Sequence, residues 1–400
     1  MKITHRLRYR QRTLGLLGVA VVALGVLIAF APLPQINYWG IDIYTFRAAA
    51  KAMALGENPY DEPNILRFAD GAKVGNIHNY LYAPYFAFAL RPLIWLSPEA
   101  ASRVWFTLNL LLVFASASLL LLALRWPSRP GVFLGVMIGL ILFPPLRTTL
   151  IIGQSTILLL FFFSLSLLLW RKQHSFLSGL VFSLGLFKPH LFPLLLFFVF
   201  YRQWRWLLGA GLGLALLNLP FWGWLDKWFI AATTTRATNL AVDQCFQMVS
   251  GVSLLNCTLT WPGWLNAVLL TGISLMLLMI VWQPTRSNSP QTEAQTFDRF
   301  LAIFLTLSLL VIDHTRVADQ MLLVFPLLVI WRDWSRLRGA IAHRSGVFLM
   351  LLVYALPYSL DMLGPRNIAF MLPFWYVGLS IAVLTLLFLE WMMFHKNATI

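Results

Sequence analysis

The chain has 400 residues, of which 59% are hydrophobic and only 11% charged, with a mean hydropathy of +0.75. A soluble domain carries about 25% charged residues, so this composition excludes a soluble globular protein and predicts an all-α polytopic membrane protein. The net charge of +15 invites a nucleic-acid partner, but the basic residues are scattered between apolar runs and form no single patch, which excludes that class.

Met1 to Arg12 holds five Lys/Arg and is followed by the apolar run Leu14 to Ala31. A signal peptide would have a shorter apolar core and a small-residue cleavage site. The run therefore reads as a retained first span with the chain start in the cytoplasm. Next comes a first outer loop, 34–98. Its leading motif, Trp39-Gly40-Ile41-Asp42-Ile43-Tyr44, is followed by Arg47, Lys51 and Gly56-Glu57-Asn58-Pro59-Tyr60-Asp61. This pattern predicts a helix, a glycine stop and a proline turn. A carboxylate held at the membrane surface by a built loop is a candidate general base, and Asp42 is that residue. Plain loop solvation is the alternative.

Further spans are expected at 101–124, 131–146, 155–170, 174–187, 189–201, 206–224, 263–282, 298–313, 317–331, 346–361 and 368–393, about twelve with the first, so that both termini lie inside. On that topology the inner segments hold 18 of the 30 Lys/Arg but 4 of the 15 acids, the asymmetry expected of cytoplasmic loops. Asn79 to Trp95 is apolar enough to span, but counting it would turn every later basic loop outward. It reads as an interfacial or re-entrant helix over the first outer loop. The middle outer loop, 225–262, holds Cys245 and Cys257, where an oxidising exterior permits a disulfide without requiring one.

Ser175 to Phe187 is 13 residues, about 20 Å of helix against a hydrocarbon core of about 30 Å. The returning run from Pro189 to Tyr201 is equally short. Their shared apex, Lys188-Pro189-His190, is then expected below the lipid surface. Backbone that turns at such depth must line protein or water, and a Lys facing lipid costs about 2.5–3.5 kcal/mol. An aqueous cavity that opens outward above Lys188 satisfies both conditions.

The same topology puts Asp42, Arg147, Gly153-Gln154, Lys188, His190, Asp313, His314, Arg316, Asp319, Asp361 and Arg366 on one face. Each alone could be a cap, a snorkelling base or a packing group, but several near one cavity point to a functional site. Asp313-His314-Thr315-Arg316, with Asp319 a turn later, reads two ways. It is a polar hairpin that caps two helices, or His314 and Arg316 donate to an anion while Asp319 orients one of them. No His pair at i, i+4 and no Cys/His cluster marks a metal site. No cofactor is expected, and a divalent ion on Asp42 and Asp319 is left open. Neither a Walker loop, a dinucleotide fingerprint nor a nucleophile elbow is present, which argues against a nucleotide as direct donor. Trp39, Tyr44, Tyr60, Tyr80 and Tyr82 belong to an interfacial belt or stack on sugar rings.

These motifs together resemble glycosyltransferase family 87, the polyprenol-phosphate-mannose-dependent group within the GT-C superfamily. The resemblance is carried by the Asp42 loop through Asp61, by Tyr80-Leu81-Tyr82-Ala83-Pro84 with Pro92-Leu93, and by Trp105 and Asn109. It continues through Gly153-Gln154, Gly179, Gly185, Lys188-Pro189 and Arg202-Gln203-Trp204-Arg205, and ends with His314-Thr315, Asp319 and Pro326. Two departures fall on the acceptor side. Ala83 stands where the family's Tyr-Pro-Pro segment has proline, and Asp243-Gln244-Cys245 stands where an Asn-Gln-Ser is usual.

The resemblance implies a multi-span fold in the cell membrane, read here as a single domain over 1–400, with its active site facing away from the cytoplasm. It implies transfer of a sugar, with mannose expected, from a polyprenyl-phosphate donor to a hydroxyl on a glycolipid or glycan, with inversion. Asp42 would be the base. Lys188, His314 and Arg316, backed by Arg147, His190 and Arg366, would hold the donor phosphate. Asp319, Tyr44, Gln154 and Asp61 would orient groups or bind the acceptor. A transporter or flippase of a lipid-linked sugar is the competing class, but it should show paired broken helices in two related halves, and no such repeat is visible.

Overall fold

The structure is a computed structural model. It describes residues 40–69, 79–126, 130–238, 250–252, 255, 263–281, 290–312, 316–334 and 377–388. The expected spans at 13–31 and 346–361, both cysteines, Asp313, His314, Asp361 and Arg366 lie outside the described residues.

The regular elements among the described residues are helical. They are α1 (Ile41–Ala54), α2 (Glu62–Phe68), α3 (Pro84–Ala89), α4 (Pro98–Ala123), α5 (Pro130–Ile141), α6 (Pro144–Ile152), α7 (Thr156–Arg171), α8 (Ser175–Ser183), α9 (Pro193–Phe200), α10 (Trp204–Asn218), α11 (Trp222–Thr238), α12 (Gly263–Val281), α13 (Pro290–Val311) and α14 (Val324–Trp334). Three runs among the described residues are long and apolar enough to cross a bilayer: Pro98–Ala123, Trp204–Ala231 and Glu293–Val311. A fourth counts if α5 and α6, bent by 63° at their break, form one broken span. Pro144 and Pro145 sit at that break, where proline removes a helical donor and clashes with the preceding turn.

Local chemistry explains where these helices begin and end. Ser97 caps α4 by accepting the Ala100 N–H at 3.2 Å, with Pro98 and Glu99 in the first turn. All three are favourable at a helix start. α1 ends at Gly56 in the left-handed region (φ 74), where Glu57 N donates to Ala52 O and Gly56 N to Met53 O. That double bond is a Schellman stop. Asn79 to Trp95 does not form one helix. It breaks into the six residues of α3 and a five-residue 3₁₀ turn, Arg91–Trp95, so neither piece has the length of a span.

The chain divides into two compact units. The first is made of Met1–Leu142, Leu146–Leu191 and Arg202–Thr235. In it α4 packs on α7, α7 on α8, and α8 on α10, while α1 rests on α2, α3 and α4. Polar side chains face inward in this unit. α4 buries Ser102, Trp105, Asn109 and Ser116 and exposes Val104, Leu108 and Leu122, the pattern of a helix whose outer face meets lipid. On α10, Leu208, Leu212 and Leu216 are exposed, while Gly209 and Gly213 face α8 so closely that a Cβ on Gly209 would collide with the Phe176 carbonyl. Small residues four apart are the usual means of close helix approach in membranes. Trp206 Nε1 donates to Ser178 Oγ at 3.0 Å, and Ser178 Oγ donates to Ser166 O at 2.7 Å.

The second unit comprises Phe143–Pro145, Phe192–Tyr201 and Arg236–Ile400. Phe197 of α9 packs its ring among Phe297, Phe300 and Phe304 of α13. At the base of the α13–α14 hairpin, Arg332 pairs with Asp298 at 2.5 Å and with Asp333 at 2.7 Å, and Arg299 pairs with Asp333 at 2.9 Å. All four side chains are buried. The topology count treats them as inner charges, whereas the fold pairs them inside protein.

Candidate functional site

Gly40 precedes α1 in the left-handed region (φ 68). Its N–H donates to the Ile151 carbonyl at 2.8 Å, so the start of α1 is tied to the last turn of α6. Gly153, also left-handed (φ 76), turns the chain from α6 towards α7. A Cβ there would lie 3.1 Å from Ile43 Cγ1 and 3.4 Å from Gly40 Cα. Trp105 of α4 donates its indole N–H to the Gly153 carbonyl at 2.8 Å. Thus α1, α4 and α6 meet at two glycines, with Asp42 two residues after Gly40 and Gln154 directly after Gly153.

Asp42 lies in the first turn of α1 and is 5% exposed. The helix N-terminus favours negative charge at that position. Thr45 and Phe46 follow on the same helical face. The Thr45 hydroxyl and the Ser102 hydroxyl, which packs against Gly40, are buried and find no hydrogen-bond partner among the described residues. Buried hydroxyls of this kind are groups that water or a sugar would satisfy. Sequence reasoning missed both, although the three-residue step from Asp42 to Thr45 carried the signal.

Phe46 leads from α1 to the other half of the site. Its ring meets Tyr82 edge-on at 5.1 Å and Phe86 at 5.5 Å, and Phe86 stacks on Phe187 at 4.2 Å. The next residue, Lys188, is 7% exposed. Its ammonium stands 3.3 Å from Gln154 Oε1, 3.4 Å from Thr156 Oγ1 and 5.7 Å from the Tyr82 ring centroid. Tyr82 donates its hydroxyl to the same Gln154 oxygen at 3.1 Å. Lys188 is thus buried, and Gln154 and Thr156 hold its ammonium.

The remaining expected residues fall in different settings. His190 is buried in the 3₁₀ turn Pro189–Leu191, whereas Arg147 is exposed on α6. Tyr44 is half-buried on α1, and burial, then Glu99, pushes its phenol above the ordinary value against the opposing pull of Arg47. It therefore remains a neutral hydroxyl. Asp61 is exposed and precedes α2 as its N-cap residue. In the second unit Asp319 is buried, and its carboxylate accepts the Arg316 backbone N–H at 2.9 Å. This capping geometry is one of the two readings of that hairpin.

Two tyrosines between α1 and α4 are committed to backbone. Tyr60 donates to Tyr82 O at 2.9 Å and Tyr80 to Ala83 O at 3.3 Å. Burial pushes the Tyr60 phenol well above its usual range. Trp228 donates to Leu81 O at 3.0 Å, so three side chains satisfy the carbonyls of this segment. Arg47, likewise, donates to Leu93 O and Leu96 O at 3.1 and 2.7 Å and braces α1 against the 3₁₀ turn. Among the described residues no three His, Cys, Asp or Glu side chains gather as a metal site.

A model of glycosyltransferase family 87 matches residues 80–312, more than half of the chain. The chain belongs to glycosyltransferase family 87. No curated protein and no solved structure matches it. Membership makes the chain a membrane glycosyltransferase, with a sugar donor and an acceptor as its substrates. The matched stretch of this glycosyltransferase includes Tyr82, Arg147, Gln154, Lys188 and His190. It does not reach Asp42 or the segment from His314 to Asp319.

Proposed function

We infer that this glycosyltransferase moves a sugar, with mannose expected, from a polyprenyl-phosphate donor to a hydroxyl acceptor at the non-cytoplasmic face, with inversion. One observation supports this reading above the others. A buried carboxylate and a buried ammonium are set into one unit by consecutive contacts, Asp42 through the Gly40–Ile151 bond and Lys188 through Gln154, three residues further on.

In this reading Asp42 takes the proton from the acceptor hydroxyl as its oxygen forms a bond to the anomeric carbon. The bond from that carbon to the phosphate oxygen breaks, and its electron pair leaves with the lipid phosphate. The phosphate departs as an anion and needs no general acid. It needs fixed positive charge where negative charge grows, which Lys188 supplies, with Arg147 and His190 in the same unit behind it. The donor-phosphate roles of His314, Arg316 and Arg366, and the orienting role of Asp319, are separate proposals, each tested by its own substitution. A polyprenyl tail in lipid and a sugar head in protein account for an enzyme of a hydrophilic substrate built from apolar helices.

The test is Asp42→Asn in reconstituted protein given radiolabelled polyprenyl-phosphate mannose and native acceptor membranes. The variant should keep its helical content and melting temperature and lose transfer by a factor of at least about 10²–10⁴, the usual contribution of a general base. Transfer at the wild-type rate would remove Asp42 as the base. Lys188→Ala should chiefly weaken use of the donor.

A further inference from the structure

The geometry points to Tyr82 as a positioning residue that sets the Lys188 ammonium for the donor phosphate, an inference that rests on the phosphate role given to Lys188 above. The proton inventory defines the arrangement. A Lys ammonium has donors and no acceptor, so the Gln154 amide atom that faces it at 3.3 Å is the oxygen. The Tyr82 hydroxyl, 3.1 Å from that same oxygen, must then be the donor there. One carbonyl oxygen thus receives both groups, and Tyr82 fixes the amide that fixes the lysine.

Tyr82 acts on Lys188 a second time through its ring, whose centroid lies 5.7 Å from Nζ, within the range in which an aromatic face attracts a cation. The ring itself is immobilised. Phe46, Phe86, Tyr80 and Phe187 surround it with centroids at 5.1, 5.4, 5.5 and 6.1 Å. Phe46 is one turn beyond Asp42 on α1, so the ring that orients the cation is packed against the helix that carries the base. A long lysine side chain has many rotamers to lose, and each must be excluded before the ammonium meets a phosphate with fixed geometry. The two contacts from one aromatic side chain do that.

The test uses full-length protein in detergent, farnesyl phosphate as the probe and farnesol as its uncharged control, with dissociation constants read from tryptophan fluorescence. Lys188→Met should remove the preference for the phosphate over the alcohol. Tyr82→Phe keeps the ring in its cluster and removes only the hydroxyl. It should weaken farnesyl phosphate binding about threefold to tenfold, the loss expected for one hydrogen bond, and leave farnesol binding unchanged. In the Lys188→Met background Tyr82→Phe should add nothing. If Lys188→Met binds both ligands like the wild type, the phosphate role of Lys188 fails. If Lys188→Met loses the preference while Tyr82→Phe retains it, or if the two effects add in full, Lys188 keeps its role and the positioning role of Tyr82 is overturned. A lowered melting temperature for Tyr82→Phe with an unchanged preference would overturn it equally.

Discussion

The Gly40 N–H donates to the Ile151 carbonyl at 2.8 Å, and this bond joins the helix with Asp42 in its first turn to the end of α6, three residues before Gln154. Around it the space is full. Gly153 lies against Ile43 and Gly40, and the Trp105 indole holds the Gly153 carbonyl.

The crowding separates two glycines with nearly the same backbone angle. Gly153 (φ 76) and Gly56 (φ 74) both occupy the left-handed region, where a side chain costs about 1–2 kcal/mol. Nothing stands within 4 Å of a Cβ at Gly56. Gly56→Ala should therefore lower the melting temperature slightly and leave transfer intact. Gly153→Ala must also push on Ile43 and should cut the transfer rate far more than its change in stability accounts for. Equal activity for the two variants would separate the glycine junction from the chemistry.

The buried ions between α13 and α14 should behave unlike the surface pair Arg67–Glu57. Arg332→Ala removes the buried guanidinium that pairs with both Asp298 and Asp333, and removal of one partner from such a group costs about 3–5 kcal/mol. Arg67 and Glu57 are partly exposed, so Arg67→Ala should cost less than about 1 kcal/mol. Thermal unfolding in detergent measures both. Similar shifts for the two variants would mean that water reaches the inner cluster.

Neighbouring glycines on α10 should respond in opposite directions. Gly211 has open space where a Cβ would stand, and alanine in its place should stabilise the helix by about 1 kcal/mol. Gly209→Ala would drive a methyl group into the Phe176 carbonyl and should destabilise by at least about 1–3 kcal/mol, the range for overpacking. A raised melting temperature for both would show that α8 and α10 are less closely apposed.

Much of the helical layout was legible in the chain. The runs expected at 101–124, 155–170 and 263–282 correspond to Pro98–Ala123, Thr156–Arg171 and Gly263–Val281, because apolar length, proline starts and capping residues are local signals. The glycine stop after α1 was legible for the same reason. The bend at Pro144-Pro145 was not, since the apolar run continues through it and the expected span at 131–146 covers the break. The residues around Asp42 drew attention to that carboxylate but not to the buried hydroxyls of Thr45 and Ser102. Lys188 was singled out by its expected depth, whereas Tyr82 read as a belt aromatic, a sugar-stacking ring or a motif residue and not as a neighbour of Lys188.

By itself the sequence determined the membrane class, much of the helical layout, the family and the helix with its glycine stop that follows Asp42, because composition, periodicity and capping act over a few neighbouring residues. Only the tertiary structure decided that Gln154 grips Lys188, that Tyr82 holds Gln154, and that Asp298 and Arg299 find their partners on α14. Those partners lie 34 to 72 positions apart, and which side chains meet across such a separation depends on how whole helices pack.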